Sequence, residues 1–240
     1  MIQIKGLTKN YKDVCAVDHL DLSIQEGELF ALLGVNGAGK TSAIRMLSCI
    51  LKPSQGDAMI GGFSILREKE KVKQIIGVSP QETAVAMNLT VRENLGLICG
   101  VYGFSRDQAM NKVREMAERF SLESILDKKA GKLSGGWQRR LSIAMALIGN
   151  TKVLFLDEPT LGLDVIARSE LWDVIRSLKG KITIILTTHY MEEANALSDR
   201  IGIMKNGRML AIGTADEIIK STGKETLEEA FIAIQKEGKA

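Results

Sequence analysis

Proline appears only three times in the 240 residues. No segment is dominated by one or two residue types, so the chain carries no proline-rich linker, internal repeat or low-complexity tether. Long apolar runs are missing as well. The strongest, at residues 153–156 and 182–186, fall far short of the ~20 residues that span a bilayer. The alternating start Met1-Ile2-Gln3-Ile4-Lys5 has a strand's pattern, without the apolar core of a signal peptide. Cysteine is sparse. Cys15, Cys49 and Cys99 are odd in number, far apart and form no Cys-x-x-Cys pair, so they are read as buried, reduced thiols and not as a metal or disulfide framework. Neither sign of charge dominates: 32 basic against 29 acidic residues leave a net charge of +3. Without a basic stripe that balance argues against a nucleic-acid partner, while it is compatible with work beside an anionic membrane face. Together these absences lead to an expectation of a protein that is cytoplasmic, or peripheral on the cytoplasmic face of the cell membrane.

What is present is an ordinary globular composition, 45% apolar and 25% charged, and a length ample for one core or for two lobes around one site. Residues 28–33 form an apolar run leading into glycine, a buried strand. Helical sequence follows from Lys40 to about Leu51 and stops before Pro53. Residues 90–150 are mostly helical, with capping boxes at Thr90/Glu93 and Ser105/Gln108. Afterwards strands and helices alternate: strand 153–156, helix 165–178, strand 182–186, helix 190–197. A hairpin turns at Asn206-Gly207, a capped helix starts at Thr214 with Glu217, and a last helix covers about 227–236. Such alternation implies an α/β fold with a mainly parallel sheet. The expected layout is one domain over 1–240, with a core from 1–89 and 151–223, a helical subdomain inserted at 90–150, and a short C-terminal helix in 224–240.

Two motifs carry the chemistry. Gly34-Val35-Asn36-Gly37-Ala38-Gly39-Lys40-Thr41, with Ser42 behind it, fits Gly-x-x-x-x-Gly-Lys-[Ser/Thr] between a strand and a helix. Phosphate oxygens need close donors, and glycines let backbone N–H groups converge with no Cβ in the way. The helix N-terminus adds its dipole, Lys40 a point charge for the terminal phosphates, and Thr41 a hydroxyl for Mg²⁺. The second motif is the apolar strand ending in Asp157-Glu158. Asp157 suits a Mg²⁺ site, through water, and Glu158 suits orienting or deprotonating an attacking water.

A third motif, Leu133-Ser134-Gly135-Gly136-Trp137-Gln138-Arg139-Arg140, resembles the signature of the ATP-binding-cassette (ABC) ATPases, and it lies just before the acidic strand as in that family. Other elements then match in order across nearly the whole chain. Gln81, in Ser79-Pro80-Gln81-Glu82, resembles the Q-loop glutamine, Leu161-Gly162-Leu163-Asp164 the D-loop, and His189 the switch histidine. Tyr11 sits where the family stacks an aromatic ring on adenine. The resemblance implies a P-loop NTPase core with a small N-terminal antiparallel portion. It implies ATP and Mg²⁺ as ligands, with Glu158, His189 and Gln81 in the catalytic set and Thr41, Gln81 and Asp157 at the metal. Ser134, Gly135 and Gly136, with Asp164, would hold the ATP bound to a second copy of the chain, so that two ATP molecules are sandwiched head to tail. Arg139 and Arg140 are read as a solvated or interlobe face. Trp137, where a polar residue or Met is usual, and Leu161, where a small or polar one is usual, are departures that remove no catalytic group.

The same resemblance implies a transmembrane permease partner docked beside the Q-loop, around Gln81 to Asn94, with Met87 and Leu89 as walls. Residues 158–164 with Arg168, Leu171 and Trp172 look like drug, lipid and polysaccharide exporters, as does the tail at 227–231. The alternatives are the soluble ABC ATPase of iron–sulfur cluster assembly and a regulatory ATP-binding module without turnover. Chromosome-maintenance members are excluded by the short segment between Lys40 and Ser134, which has no heptad run.

Overall fold

The computed structural model describes residues 1–237; the last three residues of the expected C-terminal segment 224–240 lie outside them. Along the chain run β1 (Ile2–Tyr11), β2 (Val14–Ile24), β3 (Leu29–Leu33), α1 (Lys40–Leu47), β4 (Gln55–Ile60), β5 (Phe63–Ser64), α2 (Lys69–Ile75) and β6 (Ile76–Ser79). These are followed by α3 (Val91–Val101), α4 (Arg106–Arg119), α5 (Gly135–Ala146), β7 (Val153–Asp157), α6 (Val165–Leu178) and β8 (Thr183–Thr188). The described chain finishes with α7 (Met191–Leu197), β9 (Arg200–Lys205), β10 (Arg208–Gly213), α8 (Ala215–Thr222) and α9 (Leu227–Glu237). Two compact units emerge: residues 1–73 joined with the stretch from 179 onward, and residues 74–178.

The first unit holds an antiparallel sheet in the order β2-β1-β4-β5. It also holds a set of strands in which β3 is parallel to both β8 and β9, and β10 returns antiparallel beside β9. All five residues of β3 are buried, as a strand covered on both faces requires. Asn206 and Gly207 both take left-handed backbone (φ 49° and 81°), the geometry of the tight hairpin turn their sequence announces. Helices α7, α8 and α9 close a core around Leu33, Ala194, Ile203, Ile218, Ala230 and Phe231.

The second unit contains the parallel pair β6/β7, registered with Ser79 opposite Leu156, and helices α3 to α6. All three expected capping boxes form, at Thr90/Glu93, Ser105/Gln108 and Thr214/Glu217. The architecture is the expected α/β P-loop class, with parallel strands flanked by helices and an antiparallel N-terminal sheet.

Two details differ from expectation. Helix α1 stops at Leu47, not Leu51. Cys49 adopts φ 59°, with Cys49 N donating to Met46 O (3.0 Å) and Ile50 N to Arg45 O (3.0 Å). That is a Schellman closure in which a cysteine takes the place usually given to glycine. The cysteines are not uniformly buried: Cys99 is, Cys49 is half-buried and Cys15 is exposed. Burial pushes the Cys49 and Cys99 thiols up from their ordinary pKa, which keeps both protonated and unreactive. Among the described residues no helix is long and apolar enough to cross a membrane.

Candidate functional site

In the first unit β3 delivers the glycine-rich loop. Gly34 N donates to Thr188 O at 3.3 Å, and Leu33 stands opposite Thr188 in the parallel register. The loop therefore begins beside the carboxyl end of β8, where His189 follows immediately. Ligands in parallel α/β sheets bind at these carboxyl ends. Gly39 has φ 104°, and a Cβ on it would lie 2.3 Å from Ala16 O, so only glycine permits both the backbone conformation and the approach of β2. No side chain caps α1 at Gly39, leaving the opening of that helix to the loop. The Lys40 ammonium donates to Gly34 O (2.6 Å) and Val35 O (3.3 Å) and is almost fully buried. It lies across the loop that Asn36, Gly37 and Ala38 complete, with Thr41 and Ser42 in the first turn of α1. The imidazole of His189 packs against the Tyr190 ring at 4.0 Å between centroids. Tyr11 is exposed at the β1–β2 turn, paired with Val14, with Lys9 Nζ 5.1 Å from its ring centre. From that turn β2 runs to Ala16, the residue against Gly39.

In the second unit the register of β6 and β7 sets Gln81 two residues past one strand and Asp157 at the end of its neighbour. Asp157 and Glu158 are buried, and Glu158 adopts φ 49°, a conformation uncommon for any residue but glycine, asparagine or aspartate. Past it, Leu161 N donates to Glu158 O (3.2 Å) and Leu163 N to Thr160 O (3.1 Å). The Thr160 hydroxyl is buried with no hydrogen-bond partner among the described residues.

Ser134 caps α5 in extended backbone, yet its hydroxyl makes no capping bond; it and Gly135 are exposed. Gly135 faces Leu163 and Gly136 faces Ala167, so the signature and the D-loop adjoin. Asp164 already has a local role, accepting from Ala167 N at 2.9 Å as the cap of α6. Trp137 stacks beneath the Arg140 guanidinium (4.8 Å), which also donates to Glu170 at 2.7 Å.

Of the two alternatives read for Arg139, a solvated or an interlobe face, the first is excluded: from the segment expected as the helical subdomain it reaches Pro80 and Gln81 in the segment expected as the core. It is buried, not solvated, and its guanidinium donates to Pro80 O (2.5 Å) and Gln81 O (2.6 Å). Sequence reasoning also gave Asn94 no task beyond the rim of the docking surface. It is fully buried: its Oδ1 accepts from Ala86 N (2.8 Å), while Nδ2 donates to Ala86 O (3.1 Å) and Thr90 O (2.9 Å).

The model of the family described as "ABC transporter" matches residues 17–161. The chain belongs to the ABC transporter family. It is an ABC ATPase, and as such it binds nucleotide. Among its relatives is the daunorubicin resistance ATP-binding protein DrrA3 of Streptomyces coeruleorubidus, 42% identical over 95% of this chain and 72% of that protein. The probable multidrug ABC transporter ATP-binding protein YbhF of Escherichia coli is 38% identical over 98% of this chain but only 41% of its own length. A solved structure of the ATP-binding cassette MJ0796, as a dimer in a post-hydrolysis state bound to ADP and Pi, superposes with a TM-score of 0.80 at 26% identity. It covers 89% of this chain and 98% of its own.

Proposed function

We propose that this ABC ATPase binds Mg-ATP on the Gly34–Ser42 loop and hydrolyses it within a head-to-tail pair of chains, driving a transmembrane permease that exports its substrate. The observation that carries the reading is that in each unit the hydrolytic candidates stand at the carboxyl ends of parallel strands. Gln81, Asp157 and Glu158 follow the carboxyl ends of β6 and β7, and the phosphate loop and His189 follow those of β3 and β8.

The donors suit Mg²⁺. The Thr41 hydroxyl, the Gln81 amide oxygen and the Asp157 carboxylate are all hard oxygen ligands. Among the described residues no cluster of three or more His, Cys, Asp or Glu forms a cage. Magnesium is commonly held by few protein ligands, with waters and phosphate oxygens completing the shell. When bound, the ion neutralises charge on the phosphate oxygens. The protein's own groups do the rest. Lys40 and the loop N–H groups hold the triphosphate, and Tyr11 stacks on adenine. Glu158 orients a water and accepts its proton as the water oxygen bonds to the γ-phosphorus; the bond to the bridging oxygen breaks and ADP leaves with the electron pair. Gln81 and His189 position the water and the γ-phosphate. The other copy contributes Ser134, Gly135 and Gly136, with Asp164 at the contact.

The relatives' resistance and multidrug names support export. Half-exposed Met87, in the loop after Gln81, suits docking of a short permease helix on the cytoplasmic side.

Glu158→Gln tests the reading. An amide cannot take the proton, so turnover should fall ~10²–10⁴-fold while ATP binding persists and ATP accumulates on a closed dimer in size-exclusion chromatography. Near-normal phosphate release by the variant would remove Glu158 from its role.

A further inference from the structure

Helix α5 carries the signature at its first turn and a continuous set of contacts along one face. Near its end, Ala146 O lies 2.2 Å from where a Cβ on Gly77 would stand. One turn earlier Ser142 Oγ meets Ser79 Oγ at 2.9 Å. Three residues before that, the Arg139 guanidinium meets Pro80 O and Gln81 O. Positions 146, 142 and 139 share a helical face, and each meets a successive step of β6 and the residues leaving it. The signature helix and the Q-loop backbone are thus registered against each other, residue by residue, within one unit.

Arg139 is the last and strongest of these contacts. A guanidinium offers several N–H donors in a rigid planar fork, so one side chain can bridge two consecutive carbonyls. Bonds of 2.5 and 2.6 Å to a charged donor are short ones. Downstream, Asn94 pins Ala86 and Thr90, and Gly131 N donates to Met87 O at 2.9 Å. The segment that contains Gln81 is therefore clamped at both ends, and its first clamp belongs to the helix that starts with Ser134. The Gln81 side chain itself is exposed; its origin, not its tip, is what the protein fixes.

We propose that Arg139 is a positioning residue for hydrolysis: it sets the origin of the Gln81 side chain relative to the signature helix, and so ties the glutamine's place to that of Ser134. This rests on the proposed hydrolytic role of Gln81. Arg139 touches neither nucleotide nor water in this account and acts only through the Gln81 backbone.

The experiment is a double-mutant cycle on the full chain, with Arg139→Ala, Gln81→Ala and the pair, read as single-turnover phosphate release and as equilibrium binding of a fluorescent ATP analogue. Arg139→Ala should lower the hydrolysis rate about 10–100-fold, the scale on which small misplacements act, and change nucleotide affinity less than about threefold. In the Gln81→Ala background it should cost nothing further, because residues acting through one another are not additive. Arg139→Lys, which keeps the charge but cannot bridge both carbonyls, should recover part of the rate and carries the test if the alanine variant does not fold. Hydrolysis by Arg139→Ala at the wild-type rate, or losses that multiply in the double variant, would overturn the proposal while leaving the role of Gln81 intact. A Gln81→Ala variant that hydrolyses normally would instead remove the reading beneath it.

Discussion

Glu158 holds its carboxylate in left-handed backbone, φ 49°, at a cost of order 1–3 kcal/mol. The conformation persists because β7 fixes the residues before it and the turn bonds from Leu161 and Leu163 fix those after it. It turns the side chain that follows Asp157 out of the strand's alternation, so that neighbouring carboxylates need not point to opposite faces. Gly39 solves a similar backbone problem in the other unit without strain, having no Cβ to place against Ala16. Tyr11 is a different case, an exposed ring at a hairpin end with little packing to lose. Tyr11→Ala should therefore leave thermal stability nearly unchanged while weakening ATP binding by ~1–3 kcal/mol, the range for a base stacked on an aromatic ring. Titration with a fluorescent ATP analogue checks this. Equal affinities would make the ring a surface residue only.

At the scale of elements, the stretch from Pro80 to Thr90 has no regular secondary structure yet is firmly held, because side chains from α3 and α5 satisfy its backbone. Asn94→Ala would strand Ala86 N–H, at about 1–3 kcal/mol for a buried group left unpaired, while the carbonyls of Ala86 and Thr90 keep the backbone N–H groups of Leu89 and of residue 94. Urea unfolding should show that loss as a lower midpoint with the same slope; an unchanged midpoint would mean water replaces the amide. Asn94→Asp keeps the acceptor for Ala86 N–H but sets an oxygen against the carbonyls of Ala86 and Thr90, and a buried unpaired charge is costly, so its midpoint should fall at least as far. Where a contact of this kind lies inside one element, the sequence announces it. Thr90/Glu93, Ser105/Gln108, Thr214/Glu217 and Asn206-Gly207 are all local signals, and all four appear. The parallel strands β3, β7, β8 and β9 were legible as short apolar runs, and the loop at 34–41 and the pair 157–158 as motifs; the parallel strand β6, only four residues with a glycine inside it, was not read. The Arg139 clamp was not, because its partners are backbone carbonyls almost sixty residues away and a buried arginine looks like a solvated one in a linear pattern. The end of α1 was missed because Cys49 does a glycine's work. Strands β2 and β4 escaped individual reading because irregularities break their register with β1 and blur strict alternation, and β5 because it is only two residues long.

At the scale of the whole molecule, each unit holds part of the proposed hydrolytic set. The phosphate grip and His189 are in one, the carboxylates, Gln81 and the signature in the other. The signature is the part with no local use. Its serine makes no capping bond and is exposed with Gly135 at the start of α5, where helix N–H groups and dipole favour an anion. If that anion is the γ-phosphate held by a second copy, two lesions that each abolish activity should complement when mixed. Ser134→Arg blocks the signature but leaves its own phosphate loop intact; Lys40→Ala spoils the loop but leaves its signature intact. In a heterodimer of the two, one composite site carries both lesions and the other carries neither. Equal mixing makes about half the dimers mixed, each with one sound site, so ATPase should return to about a quarter of wild type if the sites fire independently. Each variant alone should stay near zero, and Ser134→Arg should still bind ATP as a folded monomer. Heterodimers confirmed by affinity-tag pulldown yet wholly inactive would mean either that each chain completes its own site or that neither site fires without the other. A dimer carrying Lys40→Ala on one chain only separates these: full loss there means the sites are coupled, and half activity means each chain is complete in itself.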